Sequence, residues 1–203
     1  MAPRSPRSHE PASAETGDLR VHLRAATMAA HDLLDVAMQA ASGWQQRSDY
    51  AQFLALQHAA RVPVEVWLAA HAPDDLRPPQ QTPLIARDLA ALGQPLPPPA
   101  PAFALPDPGA GDVLGAAWVL AGSALGNRAI ARQVARIGGG AWPTAFLDDA
   151  AMLGFWQDLR ARIERPALIA EAAGAAHAAA AVFTHFLAVA EAGTPRAAAR
   201  VEA

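Results

Sequence analysis

The chain contains no cysteine and no lysine. Without cysteine it forms no disulfide framework, no thiolate metal site and no thiol nucleophile. All 16 basic residues are therefore arginines, and with 19 acidic residues the formal net charge is −3. This balance argues against a general nucleic-acid-binding surface, and the missing cysteines fit a reducing compartment. We therefore expect a cytoplasmic protein with no nucleic-acid partner.

Long uninterrupted apolar runs are missing as well. The alanine-rich run over residues 167–190 is broken by Glu171, His177 and Thr184, so it falls short of the roughly 20 consecutive apolar residues that a membrane span needs. Residues 1–18 are rich in proline, serine and arginine, lack the apolar core of a signal peptide, and are predicted to be a disordered tail. The sequence therefore predicts no membrane segment.

The apolar residues, 52% of the 203, recur at intervals of three and four rather than two. This spacing predicts an all-α fold, and the length suits one domain with a substantial core. The domain is predicted over residues 19–191, with a flexible C-terminal tail over 192–203. Residues 93–112 are too rich in proline for regular helix and are predicted to be a long connection. Helices are predicted to begin near Leu19, Asp49, Thr82, Asp112, Asp149 and after Pro166, and Pro63 is expected to kink or divide the second of them.

His31 stands beside the apolar stripe of the first predicted helix, which Leu23, Thr27, Ala30 and Leu34 form at helical spacing. A single histidine in such a place is most often a hydrogen-bonded core residue. One imidazole is also sufficient to ligate a heme iron, which needs only one protein ligand and a pocket. The pattern leaves both interpretations open.

Gly122 and Gly126 lie one turn apart inside a later predicted helix. Each costs about 1 kcal/mol relative to alanine, so their presence requires a reason. One explanation is close contact between two helices through small residues. The other is close approach of a flat ligand, for which this helix and the one bearing His31 would form two walls.

Two motifs resemble those of a known family. The pattern Leu23-Arg24-x-x-Thr27-x-x-x-His31 resembles the proximal helix of heme oxygenases, which presents the axial histidine. The stretch from Trp118 to Asn127 is similar to the distal helix of the bacterial branch, usually Tyr-Val-Leu-Glu-Gly-Ser-x-Leu-Gly-Gly. That branch includes enzymes that make biliverdin for bacteriophytochromes. The likeness extends over residues 19–190.

The resemblance implies a single-domain helical bundle with heme sandwiched between the proximal and distal helices. His31 would be the iron ligand, and the distal residues involved in catalysis would be Gly122, Ser123, Gly126 and Asn127. Other residues implied at the heme are Arg24 and Arg160 at the propionates, with Thr27, Trp118, Phe183 and Phe186 lining the pocket.

The implied reaction consumes O2 and electrons and converts heme, which is both substrate and cofactor, into biliverdin, CO and iron. No flavin or nicotinamide motif is present, so the electrons would come from an external ferredoxin or reductase. A bacteriophytochrome is the expected recipient of the biliverdin.

The distal motif departs from the family pattern at three positions. Ala121 stands where glutamate is usual, Asn127 where the second glycine of the terminal pair is usual, and Trp118 where tyrosine is common. The departures at Ala121 and Asn127 support an alternative, a catalytically inactive relative that binds heme or another tetrapyrrole or acts as a signalling partner. A helical enzyme acting on thiamin-type compounds is disfavoured, because the chain has no cysteine nucleophile.

Overall fold

The computed structural model describes residues 15–43 and 45–193. Within them the chain is mostly helical, which confirms the all-α class, although a two-stranded sheet is also present. The elements in chain order are β1 (Glu15–Asp18), α1 (Leu19–Ser42), α2 (Arg47–His71), a 3₁₀ turn (Asp74–Leu76), α3 (Thr82–Ala91), α4 (Ala110–Gly138), α5 (Ala150–Ile163), β2 (Pro166–Leu168) and α6 (Ile169–Gly193).

The sheet joins the beginning of α1 to the connection between α5 and α6. Residues 15–18, which the sequence placed in a disordered tail, form β1 and pair antiparallel with β2, with Glu15 opposite Leu168. The backbone N–H of Leu19 then donates to the carbonyl of Arg165 at 2.8 Å. The rest of the predicted tails, residues 1–14 and 194–203, lies outside the described residues.

Local side-chain chemistry sets several helix ends. The carboxylates of Asp18 and Asp149 accept hydrogen bonds from the backbone in the first turns of α1 and α5. Gly139, in the left-handed region at φ 60°, ends α4. Pro63 does not divide α2, contrary to one of the outcomes that we expected, and it is buried within the continuous helix.

Helix α6 is the centre of the packing and makes its most extensive contacts with α4 and α1. The largest apolar cluster draws buried side chains from α1, α2, α4, α5 and α6. A second cluster packs α3 and residues 146–147 against the first half of α2, around Phe53, Leu89 and Phe146. As a result α1 and α4 are both fixed against the same helix.

Helices α4 and α6 are long and apolar enough to span a membrane, although the sequence analysis predicted no membrane segment. Buried core helices meet the same requirement, and half of the most apolar window of α4 is buried in this fold. The sequence prediction counted uninterrupted apolar residues, whereas this criterion uses mean hydropathy. Scattered polar residues such as Thr184 interrupt the apolar run of α6 but lower its mean hydropathy only slightly.

Candidate functional site

His31 lies on α1 with its side chain 59% exposed, so it is not a core histidine. Its ring meets Phe183 of α6 edge to face, with 6.1 Å between the ring centroids. Its Nδ1 atom lies 3.4 Å from Oδ2 of Asp35, one turn later on the same face. A carboxylate near Nδ1 favours the tautomer that carries the proton there and leaves Nε2 as the lone-pair donor. The geometry therefore suits an imidazole that binds a metal through Nε2.

The glycines of α4 differ in what surrounds them. Gly111 and Gly115 are needed for helix packing, because a Cβ at either position would overlap backbone atoms of α6 around Glu171 and Ala175. Gly122 and Gly126, in the middle of the helix, do not serve this purpose. A Cβ at Gly122 would meet only the Trp156 ring at 3.6 Å, and one at Gly126 would meet no described atom within 4 Å beyond its own helical neighbours.

The four glycines nevertheless share one face of α4, since their spacing of four, seven and four residues keeps them in line on a helix. Helix α6 covers the first half of this face, and in the second half Trp156 of α5 lies beside Gly122. Contact between helices, the alternative explanation for the pair, is therefore found at Gly122 through a side chain of α5, and it is not found at Gly126 within the described part of the chain.

The faces that bear His31 and Ser123 are connected through α6. Phe183 contacts His31, and Phe186, one turn away, lies 5.8 Å from the guanidinium carbon of Arg61. That guanidinium donates from Nη2 to the Ser123 hydroxyl at 2.7 Å. Both phenylalanines are buried. The structure thus places Phe183 and Phe186 between the predicted proximal and distal residues.

Arg61, on α2, was not among the residues that the sequence singled out. Its side chain is only 1% exposed, Nε donates to Gln57 at 3.2 Å, and the guanidinium also stacks on Phe146 at 5.0 Å. Burial lowers the pKa of Arg61 to about 10, so it remains charged at pH 7. A signal was present: Arg61 falls midway between Leu54 and Leu68 at a seven-residue spacing, on the buried stripe of α2.

Ser123 and Asn127 lie one turn apart on the face of α4 that meets Arg61. The Ser123 hydroxyl donates back to the carbonyl of Leu120 at 2.7 Å while accepting from Arg61. Asn127 is 4% exposed, and its Nδ2 atom has no hydrogen-bond partner within the described residues. The half-buried Trp118 likewise has an unpaired Nε1. Two donors of α4 are therefore left unused by the described protein atoms: Asn127 on the face that meets Arg61, and Trp118 on the opposite side of the helix.

Thr27 is buried and directed into the core. Its hydroxyl donates to the carbonyl of Leu23 at 2.8 Å, as serine and threonine commonly do inside helices. The structure therefore gives Thr27 a packing role in α1. Thr27 is thus enclosed in the core one turn before the exposed His31, with its hydroxyl bonded to its own helix.

The two predicted propionate ligands differ in their present partners. Arg24 is exposed on α1, and no ion pair to it is found in the described chain. Arg160, at the end of α5, donates from Nε to Glu164 at 2.7 Å, and the same carboxylate accepts from Arg20 of α1 at 2.9 Å. Arg24 follows Arg20 by one turn, so arginines from α1 and α5 gather near the beginning of α1.

Among the described residues no cluster of three or more histidine or acidic side chains is suited to hold a metal ion. A heme site requires no such cluster, because one imidazole is sufficient. No protein-family model and no curated protein matches this sequence. The functional argument therefore depends on the site itself.

Proposed function

We propose that the protein binds heme between the exposed faces of α1 and α4, in a heme-oxygenase-like arrangement, and cleaves it to biliverdin, CO and iron. The observation that carries the proposal is the open half of the glycine face. Gly126 retains the cost of helical glycine although a Cβ there would meet no described atom within 4 Å, and at Gly122 the nearest described atoms are those of the Trp156 ring of α5. A flat ligand that approaches the α4 backbone supplies the missing reason.

The residues present fit a porphyrin. His31 offers Nε2 as a single axial ligand, with Asp35 behind Nδ1. The porphyrin is largely apolar, and apolar side chains stand exposed beside both walls: Met28 on α1 is 49% exposed and Leu125 on α4 is 53% exposed. Exposed apolar groups around a candidate site are typical of a ligand-binding surface.

The polar groups of the site have separate tasks in this proposal. Arg24 binds a propionate directly, and Arg160 does so while sharing its charge with Glu164. Ser123 holds the buried guanidinium of Arg61 at α4, which keeps positive charge on the distal side. Heme, when bound, supplies the iron that activates O2 and is itself the substrate. Electrons come from an external ferredoxin or reductase, and a bacteriophytochrome is the proposed recipient of biliverdin in the cytoplasm.

Titration of the purified protein with hemin tests the binding step. Wild-type protein is expected to bind hemin with a Soret band typical of histidine ligation, and His31→Ala is expected to lose that signature. Because His31 is exposed, the variant should unfold at the wild-type temperature. His22→Ala, on the same helix, is the matched control and should keep the wild-type spectrum. An unchanged spectrum in His31→Ala would refute His31 as the ligand.

Turnover requires a second measurement. Ferric heme in the protein, given reductant under air with catalase present, should lose its Soret band, yield biliverdin and release CO that a globin traps. Catalase removes free peroxide, which degrades heme without an enzyme. If the Soret band persists while hemin stays bound through His31, the protein is the second candidate, a heme-binding relative without turnover. Ala121, which is fully buried and supplies no carboxylate, is the feature that favours that candidate.

A further inference from the structure

Arg61 carries a buried charge for which residues 15–43 and 45–193 supply no ion-pair partner. No carboxylate of the described residues lies within salt-bridge distance of its guanidinium, and Nη1 makes no hydrogen bond although it is buried. An unpaired charge in the interior is costly, because protein and aromatic surroundings solvate it less well than water. The rings of Phe146 and Phe186 offset part of that cost and supply no acceptor.

The nearest acidic groups are engaged elsewhere. Glu65, one turn after Arg61 on α2, accepts from the backbone N–H of Gln81 and from the hydroxyl of Thr82. Asp149 accepts from the side-chain amide of Gln81 and caps α5. Both act on Arg61 only at longer range. They stabilise the charge in part, and they leave the Nη1 direction without an acceptor.

A second unused donor belongs to the same region. Asn127 Nδ2 is buried and unpaired, one turn after the serine that Arg61 contacts. The Ser123 hydroxyl proton is already committed to the carbonyl of Leu120. Two donors, one of them charged, therefore lack an acceptor among the described residues, one on the guanidinium that contacts Ser123 and one a helical turn after it. An acceptor with negative charge satisfies both, and it also compensates the guanidinium.

We propose that Arg61 and Asn127 bind a small inorganic anion of the chloride or azide class inside the fold, with Ser123 as the residue that positions the guanidinium. The site is built from α2 and α4, beside the face to which the heme proposal assigns the distal residues, and it is tested without heme. A bound water is the competing occupant, for example one that bridges Arg61 and the unpaired Oε1 of Gln81. Water would satisfy the hydrogen bonds without responding to the anion in solution.

Thermal unfolding of the heme-free, full-length protein distinguishes the two occupants. Samples in sodium chloride and in sodium gluconate are compared at equal ionic strength, because gluconate is a six-carbon anion much larger than chloride. Chloride at about ten times its Kd should raise Tm by roughly 3 to 6 °C over gluconate. The same Tm in both salts, and in azide, would overturn the proposal.

Variants connect the effect to the site. Asn127→Asp places a carboxylate beside Arg61 and should abolish the chloride dependence, whereas Asn127→Leu should weaken chloride binding about tenfold or more by removing one donor. If the Arg61→Gln variant folds, its Tm should not depend on chloride. Arg20→Gln, which removes a half-buried arginine of α1 that pairs with Glu164, is the control and should keep the full chloride shift. A chloride shift unchanged in both Asn127 variants would refute the site even if Arg61→Gln does not fold. Because no heme is present, failure here leaves the heme proposal intact.

Discussion

Alanine substitutions at two glycines of the same helix should act in opposite directions. Gly115→Ala puts a methyl group onto the carbonyl of Ala175, where backbone cannot yield cheaply, so α4 and α6 must separate. Overpacking of this kind costs about 1 to 3 kcal/mol or more, which corresponds to a Tm decrease of roughly 3 to 10 °C. Gly126→Ala meets no described neighbour and gains helix propensity of about 0.5 to 1 kcal/mol, so Tm should rise by roughly 1 to 4 °C.

A larger side chain at Gly126 should stabilise the heme-free protein but should weaken hemin binding. Heme-free Gly126→Leu should be at least as stable as the wild type, because the position is exposed, yet it should bind hemin at least tenfold more weakly if porphyrin approaches the α4 backbone there. The assay is a melting curve and a hemin titration on each of the three variants. A Gly126→Leu protein that binds hemin with wild-type affinity would refute the two-wall site, and a destabilised heme-free Gly126→Ala would refute the open face itself.

Three further outcomes are expected. Arg24→Ala combined with Arg160→Ala should weaken hemin binding about tenfold or more without affecting hemin dimethyl ester, while Arg162→Ala, whose partner is Asp75, should change neither titration. Thr27→Val should leave hemin affinity within about twofold, because the hydroxyl is buried and bonded to its own helix; a larger loss would restore Thr27 to the heme face. Burial lowers the pKa of His185 below its usual 6.5, so the unfolded chain binds the proton more readily and stability is lost as pH falls through about 6.5. The Tm of His185→Gln should therefore fall less between pH 8 and 5.5 than the Tm of the wild type. Equal decreases would contradict a lowered pKa at His185.

Much of the fold could be read from the sequence because its signals are local. Pro83 in the first turn of α3, the glycine run that ends α4 and Asp149 before α5 each act within a few residues. The sheet could not be predicted in this way, since β1 is four residues long and its partner is about 150 positions away. Short strands paired at that distance leave no periodic pattern.

The candidate site was predictable only in part, for the same reason. Spacing within one helix indicated His31 and the pair Gly122 and Gly126. Spacing alone could not reveal that His31 is exposed, that Gly111 and Gly115 are the glycines used in packing, or that Arg61 reaches Ser123 from another helix. Each of these facts depends on contacts between helices, which the order of residues along one helix does not determine.

The change in residue size along α6 explains why the glycine face is half filled. Helices α4 and α6 run in the same direction, because Gly111 lies against Glu171 and Gly115 against Ala175. In this first half α6 presents small alanines, which let the two backbones touch. At the level of Ser123, the two phenylalanines of α6, Phe183 and Phe186, contact His31 of α1 and Arg61 of α2 instead. Farther along α4, a Cβ at Gly122 would meet Trp156 of α5 and one at Gly126 would meet no described atom, so the close backbone contact is confined to the part of α6 that carries small residues.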